Sequence, residues 1–152
     1  MTNSRCWAIV ITLVLAAAIP AQGQEPSAAG RIKVTSGSAF IVRETKLIPA
    51  RIGQIVFEAD SLRTGADGRI GVTLKDDTRV SLGPSSEVRL DRFVYAPGDS
   101  RLGVVLKIVR GVAAYVSGQI AKLAPDSVRL ETPAAIVGVR GTSLAIRVMT
   151  EP

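Results

Sequence analysis

The chain has no histidine and a single cysteine, Cys6, among its 152 residues. Without imidazole there is no Ser-His-Asp triad and no histidine ligand for zinc. Cys6 falls in the N-terminal apolar run, so the folded part is expected to hold neither a thiol nucleophile nor a thiolate metal site. Aromatics make up only 4%. The one tryptophan, Trp7, sits beside Cys6, and the others are Phe40, Phe57, Phe93, Tyr95 and Tyr115. Sugar-binding clefts lean on Trp and Tyr platforms, so that class loses its usual support. No serine has a lysine three positions on, and no glycine-rich phosphate loop or calcium-binding loop occurs. Asp60, Asp67, Asp76, Asp77 and Asp91 leave a carboxylate pair open on inventory alone. Asp76-Asp77, however, reads as a turn, where aspartate is favoured for local hydrogen bonding. The expectation is a non-enzyme with no catalytic residue, no cofactor and no metal.

What is present begins with MTNSRCWAIVITLVLAAAIPAQGQ. Arg5 precedes an apolar run over residues 6–19, Pro20 breaks it, and Ala21-Gln22-Gly23 offers small residues for cleavage. This is the layout of a secretory signal peptide over residues 1–23, cut before Gln24. An uncleaved anchor is the alternative, although the run is shorter than the ~20 residues a spanning helix needs. Residues 24–29 read as a flexible leader. Cleavage leaves about 130 residues without cysteine, enough for one domain held by packing and hydrogen bonds rather than disulfides. No later apolar segment is long enough to span a membrane. The expected location is periplasmic or secreted.

The net charge is +6, yet no two basic residues are adjacent. Nucleic-acid sites cluster Lys and Arg and interleave aromatics, so no nucleic-acid partner is expected. Arg69, Lys75, Arg79 and Arg89 stand singly at outward strand positions and read as a solvated face. Bulk charge would still attract anionic polymers weakly.

From Gly30 the hydrophobic period is two. Ile70, Val72 and Leu74 alternate with polar or small residues, as do Val80 with Leu82 and Val88 with Leu90, which predicts a three-stranded meander with turns at Asp76-Asp77 and 83–86. Further strands are predicted over 31–35, 38–43, 51–57, 104–108, 112–116, 128–130 and 144–148. Arg110-Gly111 is expected to turn the chain, residues 96–101 to form an irregular loop, and 117–124 to form a short helix. About ten short strands define an all-β fold. Glycines at the ends of very short strands favour a β-helix or solenoid-like stack, with a β-sandwich as the alternative.

Three segments in order resemble the FecR domain family: GQIVFEADSLRTG over 53–65, RIGVTLKDDTRVSLGPSSEVRL over 69–90, and TPAAIVGVRGTSLAI over 132–146. With the strand at 30–42 the resemblance extends over a β domain at residues 30–148, followed by a tail at 149–152. Two departures stand out, Ala59 where a glycine often precedes the aspartate and Asp77 where a turn glycine is usual. Within the closing motif, Gly138 and Gly141 read as places where the backbone bends or approaches a neighbour. Arg140 reads as a cap for strand-end carbonyls or a partner for a carboxylate, and Thr142 as a hydrogen-bonding turn residue. These four are assigned mainly to architecture, with binding as the second role.

The resemblance implies an interaction module. Full-length regulators of this type also carry a cytoplasmic anti-sigma segment, a membrane helix and a further signalling domain. Too few residues precede this domain for an anti-sigma segment, so signalling across the inner membrane is not carried over. The expected partner is an envelope protein of unspecified identity, and the alternative ligand is envelope polysaccharide or peptidoglycan. The oligomeric state is left open.

Overall fold

The structure is a computed structural model that describes residues 27–141 and 143–149. The expected signal peptide, residues 24–26 of the leader, Thr142 and the last residues of the tail lie outside the described residues. The described residues are all-β with one short α-helix. In order the elements are β1 (Ala28–Ser36), β2 (Ala39–Arg43), β3 (Lys46–Pro49), β4 (Ile55–Phe57), β5 (Ser61–Thr64), β6 (Arg69–Leu74), β7 (Arg79–Leu82), β8 (Glu87–Ala96), β9 (Arg101–Val116), α1 (Gln119–Leu123), β10 (Val128–Glu131), β11 (Ile136–Gly138) and β12 (Ser143–Val148).

The strands follow the path β3-β2-β5-β8-β9-β7-β6-β1-β4. β9, sixteen residues long, is its spine. Its first part pairs antiparallel with β8 and, over Val104 to Lys107, parallel with β10, which in turn carries β11. Its second part pairs antiparallel with β7 and with β12. One arm is therefore β3-β2-β5-β8-β9-β10-β11, the other β4-β1-β6-β7-β9-β12, and a single strand belongs to both.

The alternation explains why both arms close on one core. Ile70, Val72, Leu74, Val80 and Leu82 from one arm and Val88, Leu90, Leu106, Ile108 and Leu130 from the other are all buried in the same cluster. Their strand neighbours Arg69, Arg79, Ser81, Arg89 and Arg129 are exposed. Period-two burial removes one side chain in two from water, at roughly 1.5–3 kcal/mol for each large aliphatic.

Several expectations change. Arg110-Gly111 does not reverse the chain. Gly111 takes φ +82° and bends β9 from one arm into the other without ending it. The meander is broken as well. β6 and β7 form a hairpin, but β8 leaves β7 and pairs instead with β5 and β9. The cause is the 83–86 loop, pinned away from a hairpin geometry: Thr64 Oγ1 donates to the Gly83 carbonyl at 2.7 Å and accepts the Ser86 N–H at 2.9 Å. Residues 51–54 are a turn, so the strand expected over 51–57 shrinks to β4. The 96–101 loop is tighter than expected, with Ala96 paired to Arg101 across a short 3-10 turn over Pro97–Asp99. β3 and β5 lack the long alternation that marks the other strands and were not anticipated.

Candidate functional site

The closing motif lies at the crossover between the arms. Among the described residues β11 is an edge strand of one arm and β12 an edge strand of the other, and residues 139–142 join them. The sequence alternates across this link. Val137 packs against the core and Val139 is buried in it, while Ile136, Gly138 and Arg140 face out. Ser117 Oγ donates to the Gly141 carbonyl, tying the crossover to the end of β9. Val139 was not singled out from the sequence, although it is the side chain that plugs the link into the core.

Gly141 lies at a bend, one of the two roles expected of these glycines, while neither Gly141 nor Gly138 is at a close approach. A Cβ on either would meet no atom within 4 Å, and neither has positive φ. Arg140 does pair with a carboxylate, as one of its two expected roles required. Its Nη2 lies 3.0 Å from Asp126 Oδ1, with the side chains 80% and 83% exposed, so the pair holds little energy. Thr142 lies outside the described residues. Around the crossover a cleft of about 280 Å³ opens between Asp126, Arg129, Ile136 and Arg140. Gly138 lies opposite Arg129 across β10–β11, leaving that arginine room to stand over the cleft.

The aspartates open on inventory do not converge. Asp60, 1% exposed, accepts two hydrogen bonds of 2.8 Å from the Arg43 guanidinium and a third from the Phe57 N–H. The Arg43 guanidinium also stacks 4.5 Å from the Phe57 ring centre, and the carboxylate raises its pKa further above the usual arginine value. Asp76, wholly buried, accepts from the Thr78 N–H and hydroxyl and from the Ile120 N–H at 3.2 Å. Its carbonyl takes the Gln119 N–H, so Asp76 caps α1 from 43 residues away in sequence. Asp77 stays exposed in the turn beside it. Asp67 accepts from the Ser38 N–H, and Ser38 holds its pKa below the usual 3.8. Asp91 pairs with Arg89. Among the described residues no group of three or more potential metal ligands forms. No helix among them is long and apolar enough to cross a membrane.

β12 completes the site. Leu144, Ile146 and Val148 pack against the core, while Ser143, Ala145 and Arg147 are exposed. Among the described residues it pairs with β9 on one side only, leaving its other row of backbone N–H and C=O groups open.

These features define a class: a β module, cysteine-free over the described residues, whose buried aspartates Asp60 and Asp76 are spent on its scaffold and whose last described strand is an open edge. The family model described as FecR protein matches residues 60–151, and the chain belongs to that family. The match begins at Asp60, the carboxylate that receives Arg43, and runs through the crossover and β12. β1 and β2, before it, pair with β6 and β5 inside it. Among curated proteins and among solved structures nothing matches the chain.

Proposed function

We propose that the chain is a non-catalytic, exported FecR-domain module that docks onto another protein of the cell envelope in a regulatory or signalling role. Membership of the FecR family supports the regulatory reading. The observation that carries the docking mode is the open edge of β12 next to the exposed Arg140–Asp126 pair and its cleft. A partner strand added to β12 would gain main-chain hydrogen bonds from the edge, and the cleft would supply side-chain selectivity. The non-catalytic part of the proposal draws support from Asp60 and Asp76, each saturated by scaffold hydrogen bonds. Of the two all-β architectures, a sandwich-like arrangement suits this role better than a solenoid stack. Two arms around one core present outer faces and edge strands, and among the described strands only β9–β10 runs parallel. The signal-peptide layout of residues 1–23 supports a location in the periplasm or outside the cell.

The test is site-specific photocrosslinking in the source cells, with the crosslinker at Ala145 on β12, at Arg140, and at Arg92 on β8 as control. Adducts to one or two envelope proteins from Ala145 and Arg140, and none from Arg92, are expected. Adducts from all three positions alike, or from none, would defeat the proposal.

A further inference from the structure

We propose that the outer face of the β1-β6-β7-β9-β12 arm binds a linear polysaccharide bearing carboxylate groups. The site shares β12 with the docking edge but uses the outward side chains of that strand rather than its open backbone groups, and it does not depend on a protein partner there.

The pairing registers place the outward residues of this arm in rows running across the strands. One row joins Arg69 on β6 to Val112 on β9 and Arg147 on β12 by way of Gly83. A second, four residues further along β6, joins Arg31, Thr73, Arg79, Val116 and Ser143. At ~3.3 Å per residue the two rows stand roughly 13 Å apart. A groove of about 450 Å³ runs along the first row and the positions between the two, lined by Arg69 with Val34, Gly71, Ser81, Gly83 and Val112, and the second row stands beside it. Gly71 and Gly83 face it without side chains, and it lies open to solvent across several strands.

The charge on this face is of one sign. Arg31, Arg69, Arg79 and Arg147 are exposed, and none of them pairs with a carboxylate among the described residues. The strands of the arm carry no acidic residue; Asp67 and Asp77 sit in the turns at the two ends of β6, and Asp67 is engaged by Ser38. The other arm is mixed: Arg92, Arg101 and Arg129 are exposed and outside any ion pair among the described residues, but acidic residues share that arm with them. There Glu87 holds both Arg63 and Arg110, and Asp91 holds Arg89. Unneutralised guanidinium forks bind carboxylates by paired hydrogen bonds and raise local anion concentration.

The geometry favours a glycan over an acidic peptide. The groove crosses the strands, whose N–H and C=O groups are already used in the sheet, so a peptide laid in it gains no main-chain pairing. A glycan needs none: its carboxylates meet the arginine rows and its hydroxyls the Ser81 and Thr73 hydroxyls. The lack of aromatic platforms counts against a neutral sugar chain and not against one held by charge.

Binding of the purified chain to alginate, dextran, polyglutamate and phosphatidylglycerol vesicles at low and moderate salt tests this. Alginate is expected to bind, dextran not, and the affinity to fall as salt rises. The Arg69→Gln/Arg79→Gln/Arg147→Gln variant should lose on the order of tenfold or more in alginate affinity with unchanged circular dichroism. The Lys46→Gln/Arg92→Gln/Arg101→Gln variant, with the same net charge, should bind as the unaltered chain does. Equal losses in the two variants would reduce the effect to bulk charge and overturn the proposal. Stronger binding of polyglutamate or of the vesicles than of alginate would overturn it as well.

Discussion

Gly111 and Ser86 approach so closely that a Cβ on Gly111 would lie 2.3 Å from Ser86 Oγ and 2.6 Å from its Cα. Ser86 is fully buried, and its hydroxyl accepts the Val112 N–H at 2.8 Å while donating to the Pro84 carbonyl. The bend that lets β9 serve both arms is therefore built by the loop entering β8. Gly111→Ala combines a left-handed backbone costing about 1–2 kcal/mol with a clash against backbone. Urea denaturation should show a loss of roughly 2–4 kcal/mol, whereas Gly138→Ala, in open space, should stay within about 0.5 kcal/mol. A loss below about 1 kcal/mol for Gly111→Ala would contradict the bend as described.

The Arg43–Asp60 pair is asymmetric, with side-chain exposures of 34% and 1%. Removing Arg43 strands a buried carboxylate that retains only the Phe57 N–H. Removing Asp60 leaves a guanidinium that can turn to water. Arg43→Ala should therefore destabilise by roughly 3–5 kcal/mol and Asp60→Ala by less, about 2 kcal/mol. The reverse order in chemical denaturation would mean that Asp60 acts mainly through its backbone turn.

The strands of strong alternation, the turn at Asp76-Asp77 and the helix after Ser117 could be read from local pattern, because period and turn chemistry act over a few residues. The sharing of β9 could not, since a glycine at a bend and a glycine at a turn look alike in sequence. Asp76 was legible as a turn residue and not as the cap of α1, a contact closed only by the fold. Arg140 could be matched to a carboxylate by type, but its exposure was invisible. The arginines of the β1-β6-β7-β9-β12 face stand alone along the chain and gather only across strands, so the charge pattern read as scattered.

Ala59 and Asp77 hold the places where the family resemblance calls for glycine, and both adopt the left-handed region, with φ of +71° and +65°. Ala59 is fixed there by its N–H to the Leu90 carbonyl at 2.8 Å, and Asp77 by its N–H to the Leu74 carbonyl at 3.1 Å. Each side chain bears a backbone cost that glycine lacks, offset in part by the greater entropy of glycine in the unfolded chain. Ala59→Gly and Asp77→Gly should each raise stability by about 0.5–1 kcal/mol, read as a melting-temperature rise of a few degrees. A fall for both would show that the turns are not under strain.

Tyr115 is buried against the core, and its hydroxyl has no hydrogen-bond partner among the described residues. Burial raises its pKa above the usual 10.0, and the nearby Thr78 and Ser117 hydroxyls only partly counter this. A folded-state pKa above the unfolded one means that the neutral phenol favours the fold. That contribution is fully present below pH ~10 and is lost as pH rises through the folded-state value. At pH 7 Tyr115→Phe removes an unpaired buried hydroxyl, so stability should hold or rise by up to about 1 kcal/mol. Above pH ~10 the unaltered chain should weaken more steeply than the variant in urea titrations. Parallel pH profiles for the two would place the Tyr115 hydroxyl in contact with water, and a large loss at pH 7 would assign it a partner.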